Sequence, residues 1–133
     1  MREIKFRAKR TDNGAWVYGD LTHVQRINTK EQAEQSGRRS EPAVRIANYD
    51  VDEQTIGQYT GMKDKNGREI YEGDMLCYRD EKGIAYRFYV IFIDGAFCFS
   101  HYGAKTFTEL RYHDISKYTL EGNIHDNPEL LTE

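Results

Sequence analysis

The feature that most constrains the fold is a pair of apolar runs separated by the dipeptide Asp94-Gly95. Residues 84–93 and 96–100 are rich in β-branched and aromatic side chains, which favour strands. A two-residue type I′ turn needs positive φ at both central positions, and Asp-Gly tolerates this. The sequence therefore predicts an antiparallel hairpin in which Phe92 faces Phe97 across the two strands.

Both faces of this hairpin are apolar. In the predicted register one face carries Phe88, Val90, Phe92, Phe97 and Phe99, and the other carries Tyr89, Ile91, Ile93, Ala96 and Cys98. A sheet with two apolar faces is expected to be covered on both sides. A closed barrel, a covering segment or a contact with another subunit would provide that cover.

The N-terminal region also predicts a β-hairpin. Residues 4–8 alternate between apolar and charged side chains, which is typical of a strand with one buried face. Asp12-Asn13-Gly14 follows as a turn, since these residues tolerate the left-handed conformation. Residues 15–21 would then form the return strand.

The remaining chain predicts more short elements. Further strands are expected at residues 43–49, 75–79 and 117–124. A single helical turn or a tight bend is expected at residues 51–56, and the start of a short helix at residues 127–131. Residues 106–112 fit either a strand or a short helix. In the C-terminal turn Asn127 is expected to be the N-cap and Pro128 the first helical residue. Many short strands separated by glycine turns predict a mainly β small barrel or roll.

Length and composition predict one compact unit. The chain has 133 residues and 13% aromatic side chains, so a core can be built although the composition is polar. We expect a single unit over residues 1–133. Its sub-regions would be an N-terminal β region at 1–50, with a polar loop at 29–42, and a barrel at 51–133.

Charge and targeting signals indicate the class of protein. The net charge of −3 argues against a strongly basic protein that binds nucleic acid without specificity. No apolar run approaches the roughly 20 residues that cross a bilayer, and the charged N-terminus does not resemble a signal peptide. With only two cysteines, the chain is predicted to be cytoplasmic with reduced thiols.

Residues 57–74 form the densest motif of the chain, with four glycines and the turn dipeptide Asn66-Gly67. Within it, residues 58–74, QYTGMKDKNGREIYEGD, closely resemble the YopX family of bacteriophages and prophages. The first eight residues, MREIKFRA, and residues 122–130, GNIHDNPEL, resemble the two ends of the same family. The resemblance therefore extends over the whole chain.

The resemblance has consequences for fold and setting. It implies a mainly β protein with an SH3-like barrel roll in its C-terminal part. It also implies a phage or prophage gene product that acts in the bacterial cytoplasm. It brings no established activity, substrate, cofactor or catalytic residue.

Four carboxylates near the motif are candidates for chemistry. They are Asp64, Glu69, Glu72 and Asp74. Paired carboxylates can bind a divalent cation or share a proton. Capping of backbone amides in turns is the favoured interpretation, because the spacing of a calcium loop breaks down after Gly67.

A thiol nucleophile is a further candidate. Cys77 or Cys98 could act with His101 or His113 as base. Both cysteines lie in apolar predicted strands, where a thiolate is disfavoured. We therefore predict no catalytic residue, no cofactor and no metal site, and we expect the protein not to be an enzyme.

The remaining candidate is a binding rim on the motif. Its predicted residues are Tyr59, Lys63, Lys65, Arg68 and Tyr71. The sequence favours a non-enzymatic interaction module that binds a host or phage protein or associates with itself. The alternative is a nucleic-acid-binding accessory of phage replication or transcription, because tyrosine and arginine together can hold single strands. No membrane partner is expected.

Overall fold

The computed structural model describes residues 3–25, 42–100 and 106–132. The chain divides into two compact units, Lys5–Ile56 and Met1–Ile4 with Gly57–Glu133, which we call the N-terminal and C-terminal units. The predicted polar loop at 29–42 lies outside the described residues, apart from Pro42. None of the helical segments in the described part of the chain is long and apolar enough to cross a membrane.

Among its described residues, the N-terminal unit contains five short strands. They are β1 (Phe6–Lys9), β2 (Trp16–Gly19), β3 (Leu21–Gln25), β4 (Pro42–Ile46) and β5 (Tyr49–Asp50). Strands β1 and β2 form the predicted antiparallel hairpin, and β3, β4 and β5 form an antiparallel sheet. Ala8, Val44, Ile46 and Val51 are its buried apolar side chains. The predicted helical turn is a 3-10 turn at Glu53–Thr55, where the Asp52 carboxylate accepts a hydrogen bond from the Gln54 N–H.

The part of the C-terminal unit that the structure describes contains seven strands. They are β6 (Gly57–Lys63), β7 (Glu69–Tyr71), β8 (Asp74–Arg79), β9 (Ala85–Ile93), β10 (Ala96–Ser100), β11 (Thr108–Glu109) and β12 (Thr119–Asn123). Five of them form one antiparallel sheet in the order β11-β10-β9-β8-β12. Strands β6 and β7 pair with each other. The ambiguous 106–112 segment contains both predicted alternatives, since β11 leads directly into a 3-10 turn at Leu110–Tyr112.

The β9–β10 hairpin has the predicted register. Phe92 faces Phe97 and Ile93 faces Ala96, while Asp94 and Gly95 have φ of 51° and 80°. These positive values at both central positions are those of a type I′ turn, which matches the twist of the flanking strands. The turn dipeptide therefore determines which side chains share a face.

One face of the five-stranded sheet carries the core of the C-terminal unit. Its buried members are Ile70, Leu76, Val90, Phe99, Leu110, Ile115 and Tyr118. The Phe99 ring contacts the rings of Phe88 and Tyr118 edge-on, with centroids 4.7 and 5.6 Å apart. Such edge-on contacts stabilise the fold beyond the apolar area that the rings bury. Aromatic rings thus fill core positions in a chain with few aliphatic side chains.

The predicted mainly β class is confirmed, but the sheets in the described part of the chain are open and no closed barrel is formed there. The short C-terminal helical turn is a 3-10 turn at Pro128–Thr132. The oxygen of the Asn127 side chain accepts a hydrogen bond from the Asn123 N–H, so it holds the preceding loop. The SH3-like form of the roll stays a prediction.

Candidate functional site

The two tyrosines of the predicted rim lie inside the C-terminal unit. Tyr59 on β6 faces Tyr71 on β7, and the ring centroids are 5.4 Å apart. Their exposed fractions are 5% and 2%, so neither ring presents a stacking surface to solvent. These side chains contribute packing between the two strands of the motif.

The three cationic residues of the predicted rim are exposed, but they differ in their partners. Arg68 donates to the carbonyl oxygen of Leu120 at 2.7 Å and to the Asp64 carboxylate at 3.3 Å. The ammonium groups of Lys63 and Lys65 make no ion pair or hydrogen bond with any residue the structure describes. Arg68 is thus tied to the fold, whereas the two lysines are available to a partner.

The carboxylate of Asp64 organises the turn of the motif. One oxygen accepts from the N–H groups of Asn66 and Arg68 at 2.9 and 2.8 Å, and the other accepts from the Leu120 N–H at 2.9 Å. Burial acts to raise the pKa of this carboxyl, yet the three backbone hydrogen bonds and the Arg68 charge outweigh it and lower the pKa. The predicted capping role is confirmed here.

Of the other motif carboxylates, Asp74 and Glu72 also accept from backbone N–H groups, whereas Glu69 accepts from the Tyr71 hydroxyl at 3.5 Å. Asp74 is 1% exposed and accepts from the Tyr71 N–H at 2.7 Å. Glu72 accepts from the Gln58 N–H at 3.0 Å. Burial raises the pKa of Glu72, and that hydrogen bond offsets part of the rise. Within the described residues, no group of three or more His, Cys, Asp or Glu side chains could hold a metal ion.

The two thiols are buried and poorly suited to nucleophilic chemistry. Burial and the nearby Glu121 carboxylate raise the pKa of Cys77. Burial and the charges of Glu109 and Asp94 raise the pKa of Cys98. A raised pKa leaves a thiol protonated at neutral pH. His113 contacts the Phe99 ring edge-on, and His101 lies outside the described residues.

A feature that sequence reasoning missed is a groove of about 550 Å³ in the C-terminal unit. One wall is formed by alternate residues of β6, namely Gln58, Thr60 and Met62. Strand β6 is irregular at this point, since its register with β7 shifts between Tyr59 and Lys63 and Gly61 has a positive φ of 84°. The opposite wall is the tip of the β9–β10 hairpin, with Phe92 and Phe97.

The floor of the groove continues the hydrophobic core. Leu110 is 1% exposed, and Met62 and Phe97 pack against the core from its edge. Phe92 meets Phe97 edge-on at a centroid distance of 5.0 Å and is itself 46% exposed. An exposed aromatic ring above an apolar floor is the kind of surface that forms binding hot spots.

Charged side chains mark one end of the groove. Asp94, Glu109 and Arg111 contribute to its lining. The Arg111 guanidinium is 3.3 Å from the Glu109 carboxylate and lies over the Tyr112 ring at 4.8 Å. Asp94 makes no hydrogen bond or ion pair with the residues the structure describes.

One of the two walls of this groove is predictable from the sequence. The Asp94-Gly95 turn correctly predicted that Phe92 and Phe97 are cross-strand neighbours. The wall contributed by β6 could not be found in the same way, because it depends on packing between segments more than 25 residues apart in sequence, as Met62 and Phe92 show. Within this chain the ring of Phe92 is left partly exposed, so its expected cover by a contact with another subunit stays a prediction.

Together these features define a small mainly β protein with an aromatic groove in its C-terminal unit. The chain belongs to the YopX family, since the family model, described as YopX protein, matches residues 5–132. The chain is also similar to the crystal structure of protein EF1440 from Enterococcus faecalis. That similarity has a TM-score of 0.58 and 27% identity, and it covers 98% of this chain and 99% of the other. No curated protein matches the chain.

Proposed function

We propose that this protein is a non-enzymatic interaction module that binds a host or phage protein through the groove of its C-terminal unit. The phage or prophage setting and the bacterial cytoplasm as site of action rest on its family. The SH3-like roll is part of the proposal, and it is supported by the β8–β9–β10 meander and by the return of β12 to β8.

The single observation that carries this proposal is the exposed Phe92 ring above the floor of Leu110, Met62 and Phe97. Protein interfaces are enriched in aromatic side chains that insert into or cover apolar pockets. Burial of a partly exposed aromatic ring by a partner removes apolar area from water, which stabilises the complex.

The experiment is affinity purification of the tagged protein from infected cells, with and without nuclease. We expect a protein partner that survives nuclease treatment and is lost from the Phe92→Ser variant. Ile84→Ser is the matched control, because Ile84 is 51% exposed and directly precedes β9, at the end of the strand away from Phe92. A partner that both variants retain equally, or that both lose equally, contradicts the proposal.

The same two variants test whether the protein associates with itself through the groove. Sedimentation should then show a concentration-dependent oligomer for the wild type and for Ile84→Ser, and a monomer for Phe92→Ser. An oligomer of unchanged stability in Phe92→Ser places self-association elsewhere on the protein.

A second candidate function is binding of nucleic acid in phage replication or transcription. What favours it is the pair of exposed lysines, Lys63 and Lys65, whose ammonium groups are not engaged by the described residues. The Lys65 N–H donates to the Tyr118 carbonyl, directly after the 3-10 turn that ends at the exposed Lys117. The segments that carry these three exposed lysines are therefore adjacent at Lys65 and Tyr118.

The test of this second function is binding of labelled single-stranded and duplex DNA and RNA at low salt. Binding should weaken as salt rises, because released counterions dominate such affinity. Replacing Lys63 and Lys65 by glutamate should weaken it further, whereas Lys82→Glu in the β8–β9 turn should not. Equal loss in both variants indicates a general charge effect, and failure to bind at low salt rejects this function.

A further inference from the structure

Strand β12 lies at one edge of the five-stranded sheet, with β8 as its neighbour among the described strands. In an antiparallel pair, residues alternate between those whose backbone N–H and C=O bond the neighbouring strand and those whose backbone groups point away from it. Groups that point away from an edge strand are a template for pairing with another chain. The partners of the outer edge of β12 therefore decide whether a second chain can pair there.

The turn of the family motif occupies the first half of this edge. The Leu120 N–H donates to the Asp64 carboxylate at 2.9 Å, and the Leu120 carbonyl accepts from the Arg68 guanidinium at 2.7 Å. Two residues earlier, the Tyr118 carbonyl accepts from the backbone N–H of Lys65 at 2.8 Å. Two side chains and one backbone amide of the motif thus take the positions that a neighbouring strand would take.

The C-terminal motif, GNIHDNPEL, occupies the second half of the edge. The register with β8 shifts between Leu120 and Gly122, so the alternation along β12 moves by one residue and Asn123 directs its backbone groups away from β8. The Asn123 N–H donates to the side-chain oxygen of Asn127 at 3.2 Å, and the Asn123 carbonyl accepts from the Asn127 N–H at 2.8 Å. One residue therefore supplies both partners of Asn123.

Gly122 leaves the space that this second contact needs. A Cβ atom at Gly122 would overlap Oδ1 of Asn127, the same atom that accepts from the Asn123 N–H. Glycine permits such a close approach because it has no side chain. The glycine and the second asparagine of the C-terminal motif therefore act together at the edge of β12.

From these contacts we propose that the two motifs cap the outer edge of β12 and so prevent a strand of a second copy of this chain from pairing with it. The residues of this edge cap are Asp64, Lys65, Arg68 and Asn127. A second copy is the partner that is excluded, because a two-fold contact places the same strand edge opposite itself in the antiparallel direction. The edge cap includes no residue of the groove, so the inference goes beyond the proposed function.

The test opens the edge without replacing the buried Asp64. Arg68→Met removes the donor to the Leu120 carbonyl, and Asn127→Ala removes the acceptor of the Asn123 N–H, so the double variant exposes one acceptor and one donor. In sedimentation velocity it should associate at about tenfold lower protein concentration than the wild type, because a hydrogen bond between copies strengthens association by up to about that factor. Infrared spectra of the associated form should show intermolecular β pairing.

Two further variants serve as controls. Arg87→Met is matched in chemistry and place, because Arg87 pairs with the side chain of Glu121 on β12 at 2.8 Å, and the loss of this pair leaves the β12 backbone unchanged. Arg68→Lys keeps a donor that can reach for the Leu120 carbonyl. Both should associate as the wild type does. Hydrogen exchange checks the location: the Asn123 amide should exchange faster in the dilute double variant and become protected on association.

A folded double variant that associates no more readily than the wild type overturns the inference. Equal association of Arg87→Met, or protection that arises only outside residues 119–123, overturns it as well. If the double variant does not fold, Arg68→Met alone decides by the same measurements, because the Arg68 side chain is 51% exposed and lies outside the core.

The inference and the proposed function can fail separately. Association of the double variant should persist when Phe92→Ser is added, and its loss in that background would assign the association to the groove and overturn the edge cap. Capture of a partner that depends on Phe92 tests the proposed function alone, since Phe92 has no part in the edge of β12.

Discussion

The carboxylate of Asp64 accepts a hydrogen bond from the backbone N–H of Leu120, which lies 56 residues further along the chain, at a distance of 2.9 Å. The same carboxylate holds its own turn through Asn66 and Arg68. One buried side chain thus connects the motif of the family to the last strand of the sheet. Its loss should affect the whole C-terminal unit.

Replacement of Asp64 by asparagine should destabilise the protein by roughly 1–3 kcal/mol. The amide oxygen can still accept from the turn, but the amide N–H groups cannot accept from Leu120 and leave that donor unsatisfied. Urea unfolding followed by tryptophan fluorescence and circular dichroism measures the difference. The matched control is Asp80→Asn, because one oxygen of Asp80 caps the turn amides of Lys82 and Ile84 without a long-range bond.

Asp80→Asn should change the free energy of unfolding by less than about 0.5 kcal/mol. Equal losses in the two variants would show that the bond to Leu120 contributes nothing beyond ordinary turn capping.

Asp64 also predicts how stability depends on pH. Because its pKa is lowered in the folded protein, its contribution is complete above the ordinary value of about 3.9 and is lost as the pH falls through the folded pKa. The difference in unfolding free energy between the wild type and Asp64→Asn should therefore shrink at acid pH. Urea midpoints measured on both sides of about pH 4 check this.

The comparison with Asp64→Asn is needed because Glu72 acts in the opposite direction. Its pKa is raised by burial, so its contribution favours folding as the pH falls through that raised value. Glu72 is present in both the wild type and Asp64→Asn, so its contribution cancels in the difference between their free energies of unfolding. A difference that stays constant down to strongly acid pH would contradict the assigned role of Asp64.

Gly57 should not tolerate a larger side chain. Its φ is not in the left-handed region, but a Cβ atom there would lie 2.7 Å from the carbonyl oxygen of Glu72. Backbone cannot move aside as a flexible side chain can, so Gly57→Ala should cost about 1–3 kcal/mol. Thermal unfolding measures it, with Gly83→Ala as the comparison.

Gly83 has φ of +81°, and a Cβ atom at this position would have no neighbour within 4 Å, so alanine there meets backbone strain without a clash. That strain is about 1–2 kcal/mol at most. Stability of Gly57→Ala equal to that of the wild type would show that β6 and β7 can separate locally without cost.

The two cysteines should resist thiol reagents in the folded state. Cys77 and Cys98 are each 5% exposed, and their raised pKa values disfavour the reactive thiolate. An Ellman assay at mildly alkaline pH should show slow reaction of both thiols and fast reaction after addition of urea. A thiol that reacts in the native protein as fast as free cysteine would restore a nucleophilic role to that residue.

Prediction from sequence succeeded where the relevant contacts are local. The β9–β10 register followed from the requirement of a two-residue turn, and the N-terminal hairpin followed from alternation and a glycine turn. The family was also recognised correctly from the motif. In each case the information lies within a few neighbouring residues.

The site was harder, because burial depends on segments that are distant in sequence. The local sequence does not distinguish Tyr59 and Tyr71 from surface tyrosines. The two side chains are buried because they pair across β6 and β7. The groove needs residues of β6 and the tip of the β9–β10 hairpin, which no local pattern connects. The cationic side chains of Lys63 and Lys65 were correctly expected at the surface, while their role in binding stays a prediction.

The strand order has a consequence for synthesis on the ribosome. Strand β8 is made before β9 and β10, yet its neighbour on the other side is β12, which contains Thr119–Asn123. Until those residues leave the exit tunnel, the nascent sheet presents the backbone edge of β8 beside the apolar Met75 and Leu76. An unpaired apolar edge invites pairing with other chains. We therefore expect the newly made protein to be prone to aggregation in the interval before β12 emerges.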